Sequence, residues 1–248
     1  VFQTYAILAI CFISAFFHSL SGFGFPLIAT PLLFMVASPK EAILLTLFPT
    51  LFMNLISIWG IKNAFLVLKK YIILSLFIIV GSYAGSYILI TYPSDIYKVL
   101  LSIIIILYLL KDKIHLNFTT FLEKHKMVGL ACFGLVAGVV GGLVNVMLVV
   151  IVILILELKL DKNDSIVVMN FSFLTSKLTQ IATFFSHGEI GKSEFLYGMM
   201  AVGACIAAVY ISRKIVKPLS EQTFRKFLKW VMILFAILLL VQYFAKFI

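Results

Sequence analysis

The sequence predicts an all-α polytopic membrane protein with about ten transmembrane segments, built as two inverted five-helix repeats. Three observations lead there. Hydrophobic residues fill 63% of the 248 positions and only 12% are charged, with a mean hydropathy of +1.16; a soluble domain of this size has no interior able to hide that much apolar surface. Apolar runs of spanning length recur along the whole chain. The basic residues fall in short loops between those runs, the pattern that sets membrane orientation. Segments of roughly 10 residues alternating polar and apolar, as a membrane β-barrel requires, are absent.

In chain order the long runs cover 2–20, 41–60, 69–91, 97–110, 126–142, 164–185, 194–212 and 224–247, with two shorter runs at 25–37 and 145–158. The first run lacks a basic leader region and enters a Gly/Ser/Pro break at Ser19 to Pro26, so it reads as a span and not as a cleaved signal peptide. Each short run follows a glycine-rich break and as a helix would extend only about 20 Å, against roughly 30 Å of hydrocarbon. Each therefore either dips in and returns, or completes a crossing as half of a broken pair.

Charge separates these alternatives. If the short runs return, nine basic residues share one face and ten the other. If they cross, the loops 61–70, 111–126, 159–163 and 213–229 share a face and carry fifteen basic residues, against Lys40, Lys98, Lys192 and Lys246 opposite. The positive-inside rule favours crossing, with both termini outside. The crossings then divide into a repeat over 1–110, a cytoplasmic linker over 111–126 and a repeat over 127–248. Gly134 to Asn145 aligns with Ala15 to Pro26 at an offset of 119, and in each repeat the second helix is short and preceded by a Gly-rich break.

The net charge of +10 is accounted for by these loops, and no basic stripe with interleaved aromatics suggests nucleic acid. Cys11, Cys132 and Cys205 lie singly in apolar runs and read as small buried packing residues. No acid/base pair, nucleophile with its base, or metal-ligand cluster occurs in the spans, so neither an enzyme nor a metal or cofactor is expected.

Breaks at membrane depth persist where backbone lines a protein cavity. Gly22 and Gly24 can take positive φ, and Pro26 suits the first turn of the next helix, where its missing N–H would be unpaired anyway. A helix from about Phe25 would aim amides and a positive dipole end at the break, a setting that attracts anions. The second break, with Gly141, Gly142 and Asn145, would do the same from the other repeat. The alternative for such glycines is tight helix packing, the reading preferred for Gly81, Gly85, Gly134 and Gly138.

Lys177 lies mid-span with no Asp or Glu deep in any run. An unpaired cation there suits a site that receives an anion; the alternative is a lysine snorkelling to the interface. Thr46, Thr50 and Asn54 form one stripe, with a kink expected at Pro49, and Asn170 shares a face with Lys177. The Asn residues read as path-lining. Ser172, Ser176, Thr179 and Thr183 read as interhelical packing groups. His18 is a candidate for proton coupling or a neutral hydrogen-bonding residue.

Gly22-Phe23-Gly24-Phe25-Pro26-Leu27-Ile28-Ala29-Thr30-Pro31-Leu32-Leu33 resembles the N-terminal signature of the sulfite exporter TauE/SafE transporters, a G-F-G-x-x-hydrophobic-hydrophobic-A-x-P-L-L pattern. Ser38-Pro39-Lys40-Glu41-Ala42, Pro49 and Asn54 continue it, and Gly141-Gly142-Leu143-Val144-Asn145 is similar to the family's G-G-x-x-N. Where many members continue with small residues and a Pro pair, this chain has Val146-Met147-Leu148-Val149-Val150, an apolar wall that bears on selectivity. The resemblance implies movement of small sulfur-containing anions such as sulfite or organosulfonates across a prokaryotic cytoplasmic membrane.

The expected function is a secondary transporter working by alternating access. The expected anion ligands are backbone amides of Ser21, Gly22, Phe23, Gly24 and Phe25 and of Gly142 to Asn145, with side chains of Asn54, Asn170 and Lys177; Phe23 and Phe25 would form a gate or substrate wall. The expected partners are that small anion and the lipid bilayer, with no nucleic acid; Gly81-xxx-Gly85 leaves a homo-oligomer open. The alternatives are a passive anion channel and a non-transporting membrane assembly subunit.

Overall fold

The computed structural model describes residues 2–21, 24–59, 61–110, 118–215 and 221–245. Helix takes up 88% of the described residues, which contain no strand. In order the helices are α1 (Phe2–Ser21), α2 (Phe25–Val36), α3 (Pro39–Ile58), α4 (Ala64–Lys70), α5 (Ile72–Thr91), α6 (Ile96–Leu110), α7 (Thr119–Lys124), α8 (Lys126–Val144), α9 (Leu148–Glu157), α10 (Lys162–Ser186), α11 (Lys192–Ile215) and α12 (Glu221–Phe244). Four of them, α3, α5, α8 and α11, are long and apolar enough to cross a membrane; stretches of α1, α2, α6, α9 and α12 are apolar but shorter.

Each predicted run coincides with a helix, and two differences have local causes. The run expected over 69–91 is split at Tyr71, whose amide bonds back to Val67 and Leu68 carbonyls and closes α4 before α5 begins. The second break, expected at Gly141, Gly142 and Asn145, is still helix through Val144. Gly134, Gly138, Gly141 and Gly142 all lie inside α8, and the chain leaves helix only at Asn145 to Met147. Asn145 ends α8 in the left-handed conformation at φ 61°, which asparagine tolerates better than most side chains.

The helix starts follow local chemistry. Ser38 accepts from the Glu41 amide while the Glu41 carboxylate accepts from the Ser38 amide, a reciprocal cap with Pro39 in the first turn of α3. Asp161 accepts from the Asp164 amide at 2.8 Å and starts α10. At the far end of α9, Glu157 accepts from the Phe118 amide at 2.9 Å and the Thr119 hydroxyl at 2.7 Å. That carboxylate fastens the chain entering α7 to the end of α9.

The longest helix contact is between α5 and α8, followed by α1 with α11, α3 with α10 and α6 with α12. The α5–α8 contact is a seam of small residues. A Cβ added at Gly138 would stand 2.5 Å from the Ile78 carbonyl oxygen and 2.8 Å from the Ser82 amide. One at Gly142 would stand 2.8 Å from both the Ser82 carbonyl and the Ser86 amide. Gly81 and Gly85 answer from α5, where a Cβ would strike the Leu135 and Val139 carbonyls. Backbone meets backbone here, as small residues four apart permit in membranes, which agrees with the packing reading of Gly81, Gly85, Gly134 and Gly138. Cys11 and Cys205 are buried as expected; Cys132 is exposed on α8, because the buried face of that helix is its glycine face.

Candidate functional site

At the first break, α1 ends at Ser21 and α2 starts at Phe25. Gly22 and Phe23, expected as anion ligands, lie outside the described residues, as does the Ser21 side chain. Gly24 caps α2 in the left-handed region at φ 103°, with Pro26 in the first turn, so the backbone turns where Gly and Pro predict.

The Phe25 amide, expected to face an anion, is instead taken by His18. It donates to His18 Nδ1 at 3.1 Å, while His18 Nε2 pairs with Ser57 Oγ at 2.8 Å. The Ser57 hydroxyl donates to the Met53 carbonyl at 2.9 Å. Because Nδ1 accepts an N–H, the ring is neutral with its proton on Nε2, pointing at Ser57. His18 thus satisfies one of the amides that a helix start leaves over. Protonating it would set an N–H against an N–H, so a proton-carrying role requires this cap to open. His18→Ala is expected to lower stability by about 1–2 kcal/mol through the lost cap, read as a lower unfolding temperature in detergent; an unchanged temperature would contradict the cap. The Phe25 side chain is fully buried against Cys11, Ala15, Ala29, Met53 and Cys205.

The second break is organised by Asn145, which is buried. Its Nδ2 donates to the Thr30 hydroxyl on α2 and the Thr46 hydroxyl on α3, both at 2.9 Å. Thr46 spends its own proton on the Ile43 carbonyl at 2.8 Å, so it offers Asn145 only lone pairs, and the amide group facing it is the NH₂ end. Asn145 Oδ1 and the Thr50 hydroxyl have no hydrogen-bond partner among the described residues. Gly142 lies in the α8–α5 seam.

Lys177 is buried to 1% exposure on α10. It does not extend to the surface: its Nζ donates to Gln180 Oε1, one turn along the same helix. Gln180 Nε2 in turn donates to the Gly141 carbonyl at 2.6 Å, which also accepts the Asn145 amide at 3.0 Å. Among the described residues the ion pairs are Lys40–Glu189 and Lys98–Asp95, and no carboxylate pairs with Lys177. No group of three His, Cys, Asp or Glu among the described residues is placed to hold a metal.

The α3 stripe joins the two breaks. Thr46 meets Asn145 and Ser57 meets His18, eleven residues on, a rise of roughly 16 Å. Thr50 and Asn54 lie between them, both buried. The helix starts therefore do not meet at one point; they border an elongated polar track. Asn54 and Asn170 are matched across α3 and α10: each donates from Nδ2 to the carbonyl four residues earlier, Thr50 at 2.7 Å and Ile166 at 2.9 Å. Of the hydroxyls expected to pack between helices, Ser176 does so, accepting from Ser82 on α5 at 2.7 Å; Ser172, Thr179 and Thr183 instead donate to their own helix backbone four residues earlier.

Three partners were not expected from the sequence: Gln180, Thr30 and Ser57. Gln180 had a usable signal, since residues three apart on a helix are neighbours. Thr30 and Ser57 had none before the helices were placed. Elsewhere, a cleft of about 400 Å³ opens by the start of α3, lined in part by Lys40, Glu41, Glu189, Glu194 and Tyr197, with Lys40 and Glu189 paired at 2.9 Å.

Against known proteins, the family model described as Sulfite exporter TauE/SafE matches residues 7–239. No curated protein and no solved structure matches the chain.

Proposed function

This chain belongs to the sulfite exporter TauE/SafE family, and on that premise we propose that it is a secondary transporter moving a small sulfur-containing anion, sulfite or an organosulfonate, by alternating access across a prokaryotic cytoplasmic membrane. Family membership makes it a multi-pass membrane transporter of the sulfite exporter type and fits a non-enzymatic role. Substrate and mechanism are our reading.

The observation that carries it is Lys177. A buried ammonium held only by a neutral amide costs several kcal/mol relative to water. An arriving anion offsets part of that cost, so the empty site favours binding. The ammonium is tied through Gln180 to the carbonyl end of α8, beside Asn145 and near the polar track. Asn54, Asn170 and Asn145 are the polar side chains we assign to the anion's path, with the amides of Ser21 to Gly24 as backbone ligands; the amides expected as ligands from Gly142 to Asn145 are instead spent within α8 and on its closing turn, where the Asn145 amide donates to the Gly141 carbonyl.

Two inverted repeats form the moving parts of this proposal, and the packing supports them. Exchange α1 with α8, α2 with α9, α3 with α10, α5 with α11 and α6 with α12. The α1–α11 contact then becomes α8–α5, α3–α11 becomes α10–α5 and α2–α12 becomes α9–α6, while α3–α10 and α6–α12 map onto themselves; all of these contacts occur. Alternating access by rocking one repeat against the other is the usual use of such symmetry.

Two experiments test the proposal. Purified protein is expected to gain thermal stability with sulfite or ethanesulfonate and not with acetate or phosphate, since a ligand at 100 times its Kd adds about 2.7 kcal/mol to the state it binds. No shift with any sulfur anion overturns the substrate, and proteoliposome flux without trans-stimulation would make the protein a channel. For topology, single cysteines at Lys62 and Lys159, in a Cys132→Ser background that removes the exposed thiol, are expected to label from the same, cytoplasmic side. Labelling from opposite sides would mean that the short helices return instead of crossing.

A further inference from the structure

Gln180 is fully buried, and neither the family signature nor the polar stripes single it out. We propose that Gln180 is the positioning residue that fixes the Lys177 ammonium at the α8 break and thereby sets the affinity for the anion; this rests on the reading of Lys177 as the anion's counter-charge.

The argument starts from donor and acceptor types. The Lys177 ammonium can only donate, and the Gly141 carbonyl can only accept. Gln180 stands between them, with Oε1 on the ammonium and Nε2 on the carbonyl at 2.6 Å. Turning the amide over would face donor with donor and acceptor with acceptor, so its orientation is fixed by its partners and not by choice of assignment. Glutamine is the uncharged side chain that offers both groups at this reach; a carboxylate would neutralise Lys177 and an apolar residue would release it.

The anchor point is itself defined. Gly141 O is the carbonyl that also accepts the Asn145 amide and closes the left-handed turn. It belongs to the last turn of α8, where the helix dipole favours a cation nearby. Gly141 is closely surrounded: a Cβ would stand 2.9 Å from Met147 Cε and 3.0 Å from Ser176 Oγ, so those side-chain ends would have to shift to admit it. Lys177 has no other hydrogen-bond partner among the described residues. Without Gln180, its long side chain regains rotamer freedom, and the charge no longer has a single position.

The test is a double-mutant cycle read as the sulfite dissociation constant of the full-length protein in detergent or nanodiscs. Gln180→Met keeps the shape and removes both hydrogen bonds. In the wild-type background it is expected to weaken sulfite binding about tenfold or more. In the Lys177→Gln background it is expected to change the dissociation constant less than twofold, because a residue acting through Lys177 has nothing left to position. Equal weakening in both backgrounds, or none in the wild type, overturns the positioning role and leaves the Lys177 reading intact. If Lys177→Gln alone leaves sulfite affinity unchanged, the Lys177 reading falls, and the positioning role with it. Should Gln180→Met not yield folded protein, Gln180→Asn, which keeps the amide one methylene shorter and cannot span both partners, is put through the same cycle with the same expected outcomes.

Discussion

Lys177→Gln is expected to slow sulfite transport about a hundredfold while leaving the protein folded. Removing one partner from a buried, hydrogen-bonded charge pair costs about 2–5 kcal/mol, and in the loaded transporter the other partner is the anion. The unloaded protein loses a buried cation that has no paired carboxylate among the described residues. Its stability is therefore expected to stay level or rise. That opposite movement separates the result from misfolding. Lys192→Gln, at the exposed start of α11, serves as the comparison and is expected to stay within twofold of wild type. Flux measured side by side in proteoliposomes decides it: equal effects at the two positions would return Lys177 to a structural part.

Gly138→Val is expected to prevent folding. Even a bare Cβ there lies 2.5 Å from a backbone oxygen and 2.8 Å from a backbone nitrogen of α5. Neither is the movable end of a side chain, so the helices must separate along the seam. Overpacking commonly costs 1–3 kcal/mol where side chains can yield; with backbone on both sides we expect more than about 3 kcal/mol, a large share of the roughly 5–15 kcal/mol that holds a protein folded. Gly203→Ala, whose Cβ would meet nothing within 4 Å, is expected to be nearly neutral. The check is the yield of monodisperse protein and its unfolding temperature; a Gly138→Val protein as stable as Gly203→Ala would refute the seam.

Much of the architecture is legible in the sequence because each spanning helix announces itself by its own apolar run. The start of α2 was legible for the same local reason: Gly24 and Pro26 place the turn between them. The second break starts a few residues later than expected: Gly142 serves the packing seam together with Gly138, while Asn145, the last residue of the expected break, makes the turn. Glycine content alone does not distinguish those two uses. Lys177 stood out as a mid-span cation, but its bond to Gln180 was overlooked although both lie on one helix face. The His18–Phe25 contact bridges the end of one helix and the start of the next, and depends on how the intervening turn closes. α4 falls entirely in the stretch 61–70 that reads as a basic loop, because a helix of seven residues is too short to show a clear periodicity.

The pairing of early helices with late ones has a consequence for how the protein is made. α1 leaves the ribosome ahead of the other described helices, yet its main neighbour, α11, begins only at Lys192. At synthesis rates of roughly 5–20 residues per second, α1 waits on the order of 10–35 s in the bilayer for its partner. The wait for α5 is shorter, since only α6 and α7 come between it and α8. The glycine seam is thus the first large interface that can close, and it closes between helices that lie before and after α7 in the chain. Biogenesis would proceed from the middle of the chain outwards, with α11 docking on α1 and then α12 on α6, while the His18 cap, which joins α1 to α2 and α3, can form early.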